Sequence, residues 1–359
     1  MMAENSSTDK AGSDFIGFLT GKLRRHPKRI VFTEGEDLRV LRAARRLVEM
    51  EAAAPILLGD HAAIRGLAKA NGIPLEFIRV LEPRKSGDFA LFCGRFVRSE
   101  RYKRLSIADP AEVVARPHYF GALMVQYGQA DALVGGNQVL PLTLFRALLN
   151  TIKPLPGVPR VFGAMVLVGA PGLRNFGRDG VLFLADCGMI TRPDVKELAS
   201  IAFETGRLAR HFLGRAPLVA LLSHSTHGSS PSKDARRVAA ATALLRDRCR
   251  AEYVEMDIDG EVQADVALDP AAAGVKLPGE LRRASADVLV FPNLDAAHIS
   301  LKLLQHVGGA ANYGEILMGL ARPAAQVART ASEETIFGTA AAVGVEAIKF
   351  HELYPDGEV

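Results

Sequence analysis

The sequence predicts an α/β fold with two three-layer domains, each a mostly parallel sheet with helices on both faces. Three observations favour this class. Short aliphatic runs alternate with longer stretches of helical periodicity, which is typical of βαβ units. The short runs are almost continuously apolar, as expected of strands that are covered on both faces. The chain has 359 residues, enough for about two domains with a core each.

The predicted elements follow from these patterns in chain order. Strands are expected where short runs are rich in aliphatic and β-branched side chains, at 29–33, 54–58, 132–134, 160–166, 181–185, 218–222 and 288–291. Helices are expected where apolar residues recur every three or four positions, at 38–50, 111–127, 141–152, 193–213, 232–248, 301–307 and 334–350.

Domain boundaries are predicted from the breaks between these elements. The polar residues 1–14 are expected to form a disordered tail. Prolines and a glycine interrupt the chain at 154–159, and a turn near 314–319 precedes the last helix. We therefore expect one domain from residues 15–156 plus 319–359, and a second domain from residues 157–318.

Charge and cysteine content exclude several classes of protein. Lys and Arg number 44 and Asp and Glu 40, a formal net charge of +4, and no run of five like charges indicates a nucleic-acid surface. Cys93, Cys187 and Cys249 lie far apart, which argues against a zinc site or a disulfide framework. No apolar run is long enough to span a membrane and no signal region is evident. We expect a cytoplasmic protein that binds no metal, nucleic acid or membrane.

Three segments follow predicted strands, at the end where open α/β sheets bind ligands. TEGED at 33–37 places acidic side chains in the first turn of a helix, where they complement the helix dipole. VGGNQVLPLTLFR at 134–146 runs from a strand through Gly-Gly into a helix, a geometry that lets backbone N–H groups face an anion. SHSTHGSSPSK at 223–233 is the strongest of the three signals.

The 223–233 segment combines small hydroxyl side chains with a predicted helix N-terminus. This arrangement suits a phosphate group, although neither a Walker loop nor a G-x-G-x-x-G fingerprint is present. His224 and His227 have no acidic partner at a matching spacing, which argues against a metal site or a Ser/His pair. The candidate substrate ligands of this segment are Ser223, Ser225, Thr226, Gly228 and Ser229.

Three further segments complete the pattern. The alternating acids of 259–269 are typical of a solvated strand edge. Pro292 and Asn293 mark a switch from loop to helix at the carboxyl end of a strand, and Asn293 is a candidate ligand there. Arg329 lies in a polar loop before the last predicted helix, where a guanidinium group suits phosphate.

These segments, in this order, resemble the phosphate acetyl/butyryltransferase family. The resemblance runs from about residue 29 to 347 and rests on TEGEDLRVLRAA, PILLGD, FLADCGMITRPDVKELASIA, SHSTHGSS, DGEVQADVALDP, FPNLDAAH and the segment 314–323. Each motif is short, but their collinear order is specific. SHSTHGSS and DGEVQADVAL are also similar to the phosphotransacetylase-like tail of large malic enzymes, which binds acetyl-CoA as a regulator.

The resemblance implies reversible transfer of an acyl group between coenzyme A and inorganic phosphate. It further implies an isocitrate/isopropylmalate dehydrogenase-like topology, a site in the cleft between domains, a homodimer, and no tightly bound cofactor besides these substrates. In the family an Asp helps to deprotonate the thiol, a Ser steadies the transition state, and Arg residues hold phosphate and coenzyme A. Guanidinium groups are suited to this because two anionic substrates must meet.

The family's arginines are retained here, but their companions are not. Arg329 and Arg146 match family arginines and are the expected catalytic residues. Ala328 and Thr335 stand where the family has its Ser and its Asp, and Val-Leu at 139–140 replaces a His–Ser/Thr pair. General-base help is worth about 10²–10⁴-fold in rate, so we expect slowed rather than abolished catalysis. The alternative is a catalytically degenerate, acyl-CoA-binding regulatory protein.

Other side chains are candidate replacements. Glu333 and Glu334 lie just before Thr335, and Glu333 is a candidate substrate ligand. A further family arginine falls within RSERYKR, for which both Arg98 and Arg101 remain candidates.

Overall fold

The computed structural model describes residues 8–99, 108–170, 173, 176–277 and 285–353, with side chains from Phe15 to Phe350. The chain divides into two compact units. The first unit is Phe18–Pro156 together with the chain from Leu320 onward, and the second is Gly157–Gly319 together with the residues up to Gly17. These cuts fall beside the predicted boundaries. That the units are independently folding domains stays a prediction.

The first unit contains a parallel sheet. Its strands are β1 (Lys28–Phe32), β2 (Ala53–Leu58), β3 (Arg79–Leu81), β4 (Ala132–Gly135) and β12 (Ala324–Gln326), in the order β3-β2-β1-β4-β12. Every neighbouring pair is parallel. Phe32 lies beside Val134, which lies beside Ala325 on its other side. The carboxyl ends of β1, β4 and β12 therefore lie side by side at one edge, which we name the first carboxyl edge.

Helices cover this sheet because their apolar stripes match its buried faces. They are α2 (Leu38–Glu49), α3 (His61–Ala70), α4 (Phe89–Arg98), α5 (Pro110–Val114), α6 (Pro117–Gln126), α7 (Pro141–Thr151) and α13 (Glu333–Leu353), with a 3₁₀ turn at Pro83–Lys85. Phe32, Phe120 and Phe337 are fully buried, and each such ring stabilises the fold by about 1.5–3 kcal/mol.

The second unit contains a mixed sheet. Its strands are β5 (Phe162–Val168), β6 (Val181–Ala185), β7 (Leu218–Leu222), β8 (Asp257–Val262), β9 (Val288–Val290), β10 (Ala311–Asn312) and β11 (Ile316–Met318). The order is β11-β5-β6-β9-β7-β8, with β10 also paired to β5. Strands β6, β9, β7 and β8 are parallel to one another, whereas β5 is antiparallel to β6, β10 and β11. The four parallel strands share a second carboxyl edge.

The helices of the second unit are α8 (Val195–Leu213), α9 (Lys233–Ala251), α10 (Ala264–Leu268), α11 (Pro270–Lys276) and α12 (Leu294–His306). Helix α8 begins with a capping box between Asp194 and Glu197 and ends at Gly214 in the left-handed region, the conformation that glycine adopts without strain. The predicted α/β class with mostly parallel strands is confirmed.

Three predicted elements differ from the structure. Helix α1 (Thr8–Arg25) covers residues 8–14, so the predicted disordered tail is wrong there, and residues 1–7 lie outside the described residues. The helix predicted over 111–127 is two helices, because Pro117 lacks an N–H and starts α6 as its first residue. Helix α12 begins at Leu294 rather than at residue 301. No helix within the described ranges is long and apolar enough to cross a membrane.

Candidate active site

Three loops meet at the first carboxyl edge. They follow β1, β4 and β12, and they contain TEGED, the Gly-Gly turn and the Arg329 turn respectively. Backbone hydrogen bonds continue between them, from Thr33 N to Val134 O and from Val327 N to Gly135 O. The parallel register thus brings together three segments that lie far apart in the sequence.

Arg39 fastens the three loops to one another. Its Nη1 donates to the backbone oxygens of Arg329 at 2.9 Å and Ala331 at 2.8 Å, and its Nη2 donates to Asn137 O at 3.2 Å. The same guanidinium group pairs with Asp37, with Nη2 to Oδ2 at 2.6 Å. Because charge-assisted bonds of this kind are about twice as strong as neutral ones, Arg39 fixes the backbone from which Arg329 projects.

Asp37 is the anionic centre of this cluster. It caps α2 by accepting from Arg39 N, and it also accepts from Asn137 Nδ2 at 2.8 Å and Gln138 Nε2 at 3.2 Å. Burial alone would raise the pKa of Asp37, but the hydrogen bonds from Arg39 and Gln138 outweigh burial and lower it. Asp37 therefore serves as a charged anchor for Arg39 rather than as a proton carrier.

Glu34 occupies the Gly-Gly turn. The N–H of Gly136 donates to both carboxylate oxygens of Glu34, at 3.0 and 3.1 Å, and Thr33 Oγ1 donates to Oε2 at 2.7 Å. His118 Nε2 lies 2.9 Å from Oε1. The Gly-Gly pattern predicts that this turn faces an anion, and in the structure that anion is a carboxylate of the chain itself.

The two predicted catalytic arginines are both accessible. Arg329 is exposed in the turn after β12, and Arg146 is exposed on α7. Among the described residues, neither guanidinium group forms a hydrogen bond or an ion pair. Their roles stay predictions. Of the two candidates for a further arginine, Arg98 ends α4 and Arg101 lies outside the described residues.

The start of α13 carries the substituted family positions. The backbone N–H of Thr335 donates to Ser332 Oγ at 3.1 Å, so Ser332 caps the helix. Glu334 forms an ion pair with Arg46, which commits it to the packing of α13 against α2. Glu333 is half-buried at the first position of α13, and Ala328 is half-buried after β12.

In the second unit, residues 223–230 follow β7 and form what we name the hydroxyl loop. Glu261 on β8 organises it, because its Oε1 accepts from Ser225 Oγ at 2.9 Å and from Gly228 N at 2.7 Å. Burial alone would raise the pKa of Glu261, but these two hydrogen bonds outweigh it and lower the pKa. A carboxylate of the chain again occupies a backbone N–H that the sequence suggested for an external anion.

Hydroxyl groups within the loop accept hydrogen bonds from three further backbone donors. Ser229 Oγ accepts from Thr226 N at 3.0 Å, and Ser225 Oγ accepts from Ser230 N at 3.0 Å. Ser223 Oγ accepts from Ser225 N at 3.2 Å. Asn293 is used similarly, since its side chain caps α12 by accepting from Ala296 N at 2.9 Å. These contacts order the candidate ligands, whose role in binding stays a prediction.

The acids of β8 contradict the prediction that 259–269 is a solvated strand edge. Asp259 lies 2.9 Å from His227 Nε2, joining Oδ1 to the ring, so His227 has the acidic partner that its sequence spacing did not reveal. Glu261 is buried rather than solvated. The segment 259–269 is therefore not simply a solvated strand edge, because alternate residues of β8 face the hydroxyl loop.

A buried acid pair lies beside the second carboxyl edge. Asp186 follows β6 and accepts from four backbone N–H groups, those of Gly163 at 2.9 Å, Gly188 at 2.9 Å, Met189 at 3.2 Å and Ile190 at 2.6 Å. Glu315 lies against the same two glycines, where an added Cβ would fall within 1.8 Å of its Oε1. That oxygen is buried and accepts no hydrogen bond. Burial, with the nearby charge of Asp186, raises the pKa of Glu315 to about 8.

Within the described ranges, no group of three or more His, Cys, Asp or Glu side chains is placed to hold a metal ion. The chemistry that the two edges offer is therefore that of guanidinium groups, hydroxyl groups, carboxylates and histidines.

Comparison with known proteins gives matches over nearly the whole chain. Residues 14–343 match the family described as phosphate acetyl/butaryl transferase. The chain is 33% identical to a phosphate acetyltransferase of Acetivibrio thermocellus over 333 residues, covering 93% of this chain and 98% of that protein. It is 34% identical to a phosphate acetyltransferase of Staphylococcus aureus over 338 residues, covering 94% of this chain and 100% of that protein.

Solved structures agree with the sequence matches. A phosphotransacetylase from Staphylococcus aureus superposes with a TM-score of 0.82 at 34% identity, covering 93% of this chain and 98% of that one. A phosphotransacetylase from Streptococcus pyogenes gives 0.83 at 30% identity, covering 94% and 99%. The fold and the sequence together define a transferase. The chain belongs to the phosphate acetyl/butyryl transferase family, as the motifs predicted.

Proposed function

We propose that this chain is a phosphate acyltransferase that moves an acyl group reversibly between coenzyme A and inorganic phosphate. The observation that carries the proposal is the family match over residues 14–343. Relatives named phosphate acetyltransferase are covered over at least 98% of their length, so the resemblance involves the whole protein. This length of match does not favour the regulatory alternative.

Exposed guanidinium groups suit the phosphate substrate. Arg329 projects from a turn whose carbonyl oxygen is held by Arg39 at 2.9 Å, so its backbone is fixed while its side chain stays accessible. Two positive groups can bind phosphate oxygens in a bidentate manner and offset the repulsion between two anionic substrates. We assign phosphate binding to Arg329 and Arg146, and we assign the positioning of Arg329 to Arg39.

We assign the phosphate groups of coenzyme A to the hydroxyl loop, with Asn293 and Glu333 as further substrate contacts. Support comes from the order that Glu261 imposes on Ser225 and Gly228, because a preformed loop loses less conformational entropy when a ligand binds. We also propose a cytoplasmic homodimer with no tightly bound cofactor. Light scattering on the purified chain tests the dimer.

Acyl transfer itself is the decisive experiment. The full chain is mixed with coenzyme A and acetyl, propionyl or butyryl phosphate, and thioester formation is followed by ultraviolet absorbance. Arg329→Gln and Arg146→Gln are expected to lower kcat/KM about 10²-fold or more, as loss of one charge-stabilising donor does in other enzymes. Arg65→Gln, on the exposed side of α3, is the matched control and is expected to leave the rate unchanged.

The outcomes separate the hypotheses. Turnover with any of the three acyl phosphates supports the proposal, and the preferred chain length defines the substrate. No turnover with all three refutes it. Calorimetric binding of coenzyme A without turnover would instead establish the regulatory alternative.

A further inference from the structure

A histidine–carboxylate pair lies at the first carboxyl edge, and its histidine belongs to none of the predicted site motifs. His118 is the second residue of α6, whose N-terminus precedes β4 and lies at the edge where β1 and β4 end. Its Nε2 is 2.9 Å from Oε1 of Glu34. The pair therefore joins α6 to the loop that follows β1.

The surroundings of Glu34 determine which ring nitrogen carries the hydrogen. Thr33 Oγ1 and Gly136 N already donate to the Glu34 carboxylate, so this group acts as an acceptor throughout. An accepting carboxylate requires Nε2 of His118 to be the donor, which leaves a lone pair on Nδ1. No described residue donates to Nδ1, and the side chain keeps 12% of its surface exposed, against 6% for Glu34.

We propose that His118, positioned by Glu34, is the general base that deprotonates the coenzyme A thiol. This inference rests on the proposed acyl transfer. It follows the logic of catalytic pairs in which a buried carboxylate fixes the tautomer of an imidazole and stabilises the imidazolium that forms. The pair supplies the base that Thr335 cannot supply, since a threonine hydroxyl does not act as a base at neutral pH.

The proton that His118 removes from the thiol is returned to phosphate within the same reaction. The S–H bond breaks as its proton passes to Nδ1 of His118, and the thiolate forms a C–S bond with the acyl carbon. The bond between that carbon and the phosphate oxygen then breaks. The imidazolium returns the proton to the departing phosphate, so His118 ends as it began and no other reactant is required.

Hydrogen bonds connect this pair to the proposed phosphate ligand. Glu34 binds the N–H of Gly136, and the next residue, Asn137, contacts both Asp37 and Arg39. Arg39 in turn binds the carbonyl oxygen of Arg329. The base and the phosphate-binding turn are thus held on one network within the first unit.

His118→Gln is the informative substitution, because the amide nitrogen of Gln can still donate to Glu34 but is not basic. We expect kcat at pH 7 to fall about 10²–10⁴-fold, the usual contribution of a general base, with KM changed by less than about threefold. The deficit should shrink by up to about tenfold for each unit that the pH rises below the thiol pKa, because more thiolate then forms without a base.

Two further variants distinguish catalysis from structure. Glu34→Gln is expected to lower kcat at least about tenfold by disturbing the tautomer. The double variant should be no more than about threefold slower than the slower single variant, since residues acting as a unit are non-additive. His61→Gln, an exposed histidine on α3, is the matched control, and melting temperatures confirm that all variants are folded.

Failure of this inference is distinguishable from failure of the proposed function. Wild-type turnover with a His118→Gln deficit below about threefold at every pH would overturn the role of His118 while leaving the acyltransferase intact. A large deficit that is constant with pH would also overturn it, because a structural role does not depend on thiol ionisation. Added imidazole that restores the rate of the variant supports it.

Discussion

Glu315 makes the free energy of unfolding depend on pH, and a single substitution can measure this effect. Its side chain is 4% exposed, lies against Gly163 and Gly188, and has a buried oxygen that accepts no hydrogen bond. Burial and the neighbouring charge of Asp186 raise its pKa from 4.5 to about 8. Glu315 is therefore protonated in the folded protein at pH 7 but ionised in the unfolded chain.

The sign and size of the effect follow from this difference. The folded state holds a proton that the unfolded state releases above pH 4.5, so the stability contributed by the protonated form is present at low pH and is lost as the pH rises to about 8. At 1.36 kcal/mol for each pH unit, the loss over this window is about 5 kcal/mol. A Gln at this position has the same shape and does not titrate, so it should escape the loss.

Urea unfolding followed by circular dichroism, at pH 5 and at pH 8.5, tests this. Comparing Glu315→Gln with wild type at the same pH cancels the titration of every group that does not interact with Glu315, which leaves the coupled pair of Glu315 and Asp186. The free energy of unfolding of the variant, minus that of wild type, should rise by about 4 kcal/mol from the lower to the higher pH. Glu255→Gln changes an exposed position in the same unit, and its free energy of unfolding relative to wild type should be the same at both pH values. An equal difference between Glu315→Gln and wild type at both pH values would refute the reasoning.

Three further predictions concern other contacts. Asp287 is fully buried between two arginines, and Asp287→Asn should lower the free energy of unfolding by about 3–5 kcal/mol. A loss below about 1 kcal/mol in urea unfolding would contradict this, because that is the average effect of any substitution. Arg39→Ala should lower kcat/KM up to about 10²-fold by releasing the loops it holds; unchanged kinetics would exclude its positioning role. Burial raises the pKa of all three cysteine thiols, that of Cys187 well above its ordinary value and that of Cys249 to about 11. Cys93 is half-buried whereas the other two are buried, so mass spectrometry after maleimide treatment at pH 8 should find Cys93 labelled first, and prior labelling of Cys187 would contradict the structure.

Much of the fold could be predicted because long elements have local signals. The periodicity of α8 and α9 and the aliphatic runs of β1 and β6 depend only on neighbouring residues. Short strands such as β12 could not be found, because Ala-Ala-Gln carries no strand pattern. Its position is determined by pairing with β4, which is about 190 residues distant in sequence, a contact that local propensity cannot encode.

In the candidate site, too, the residues with a local sequence signal could be predicted and those that depend on distant partners could not. The hydroxyl loop and the TEGED segment were predictable because each lies immediately after an apolar strand. His118 was not, since its significance comes from Glu34, 84 residues earlier. The role of Glu261 depended on which face of β8 meets the hydroxyl loop, and alternating acids alone favoured solvent. Side-chain partners across a sheet edge are set by tertiary register rather than by motif spacing.

The carboxylates within the two glycine turns have a consequence for turnover. Glu34 and Glu261 act as resident counter-ions for Gly136 and Gly228, so the rigid main chain has few donors left there to trap a passing anion. In the role proposed for Arg329, inorganic phosphate is held by a long, hydrated side chain, whose attraction is screened within about 8–10 Å by ordinary salt. Weak binding of this kind suits an enzyme that catalyses a reversible reaction, because either anionic product can dissociate readily.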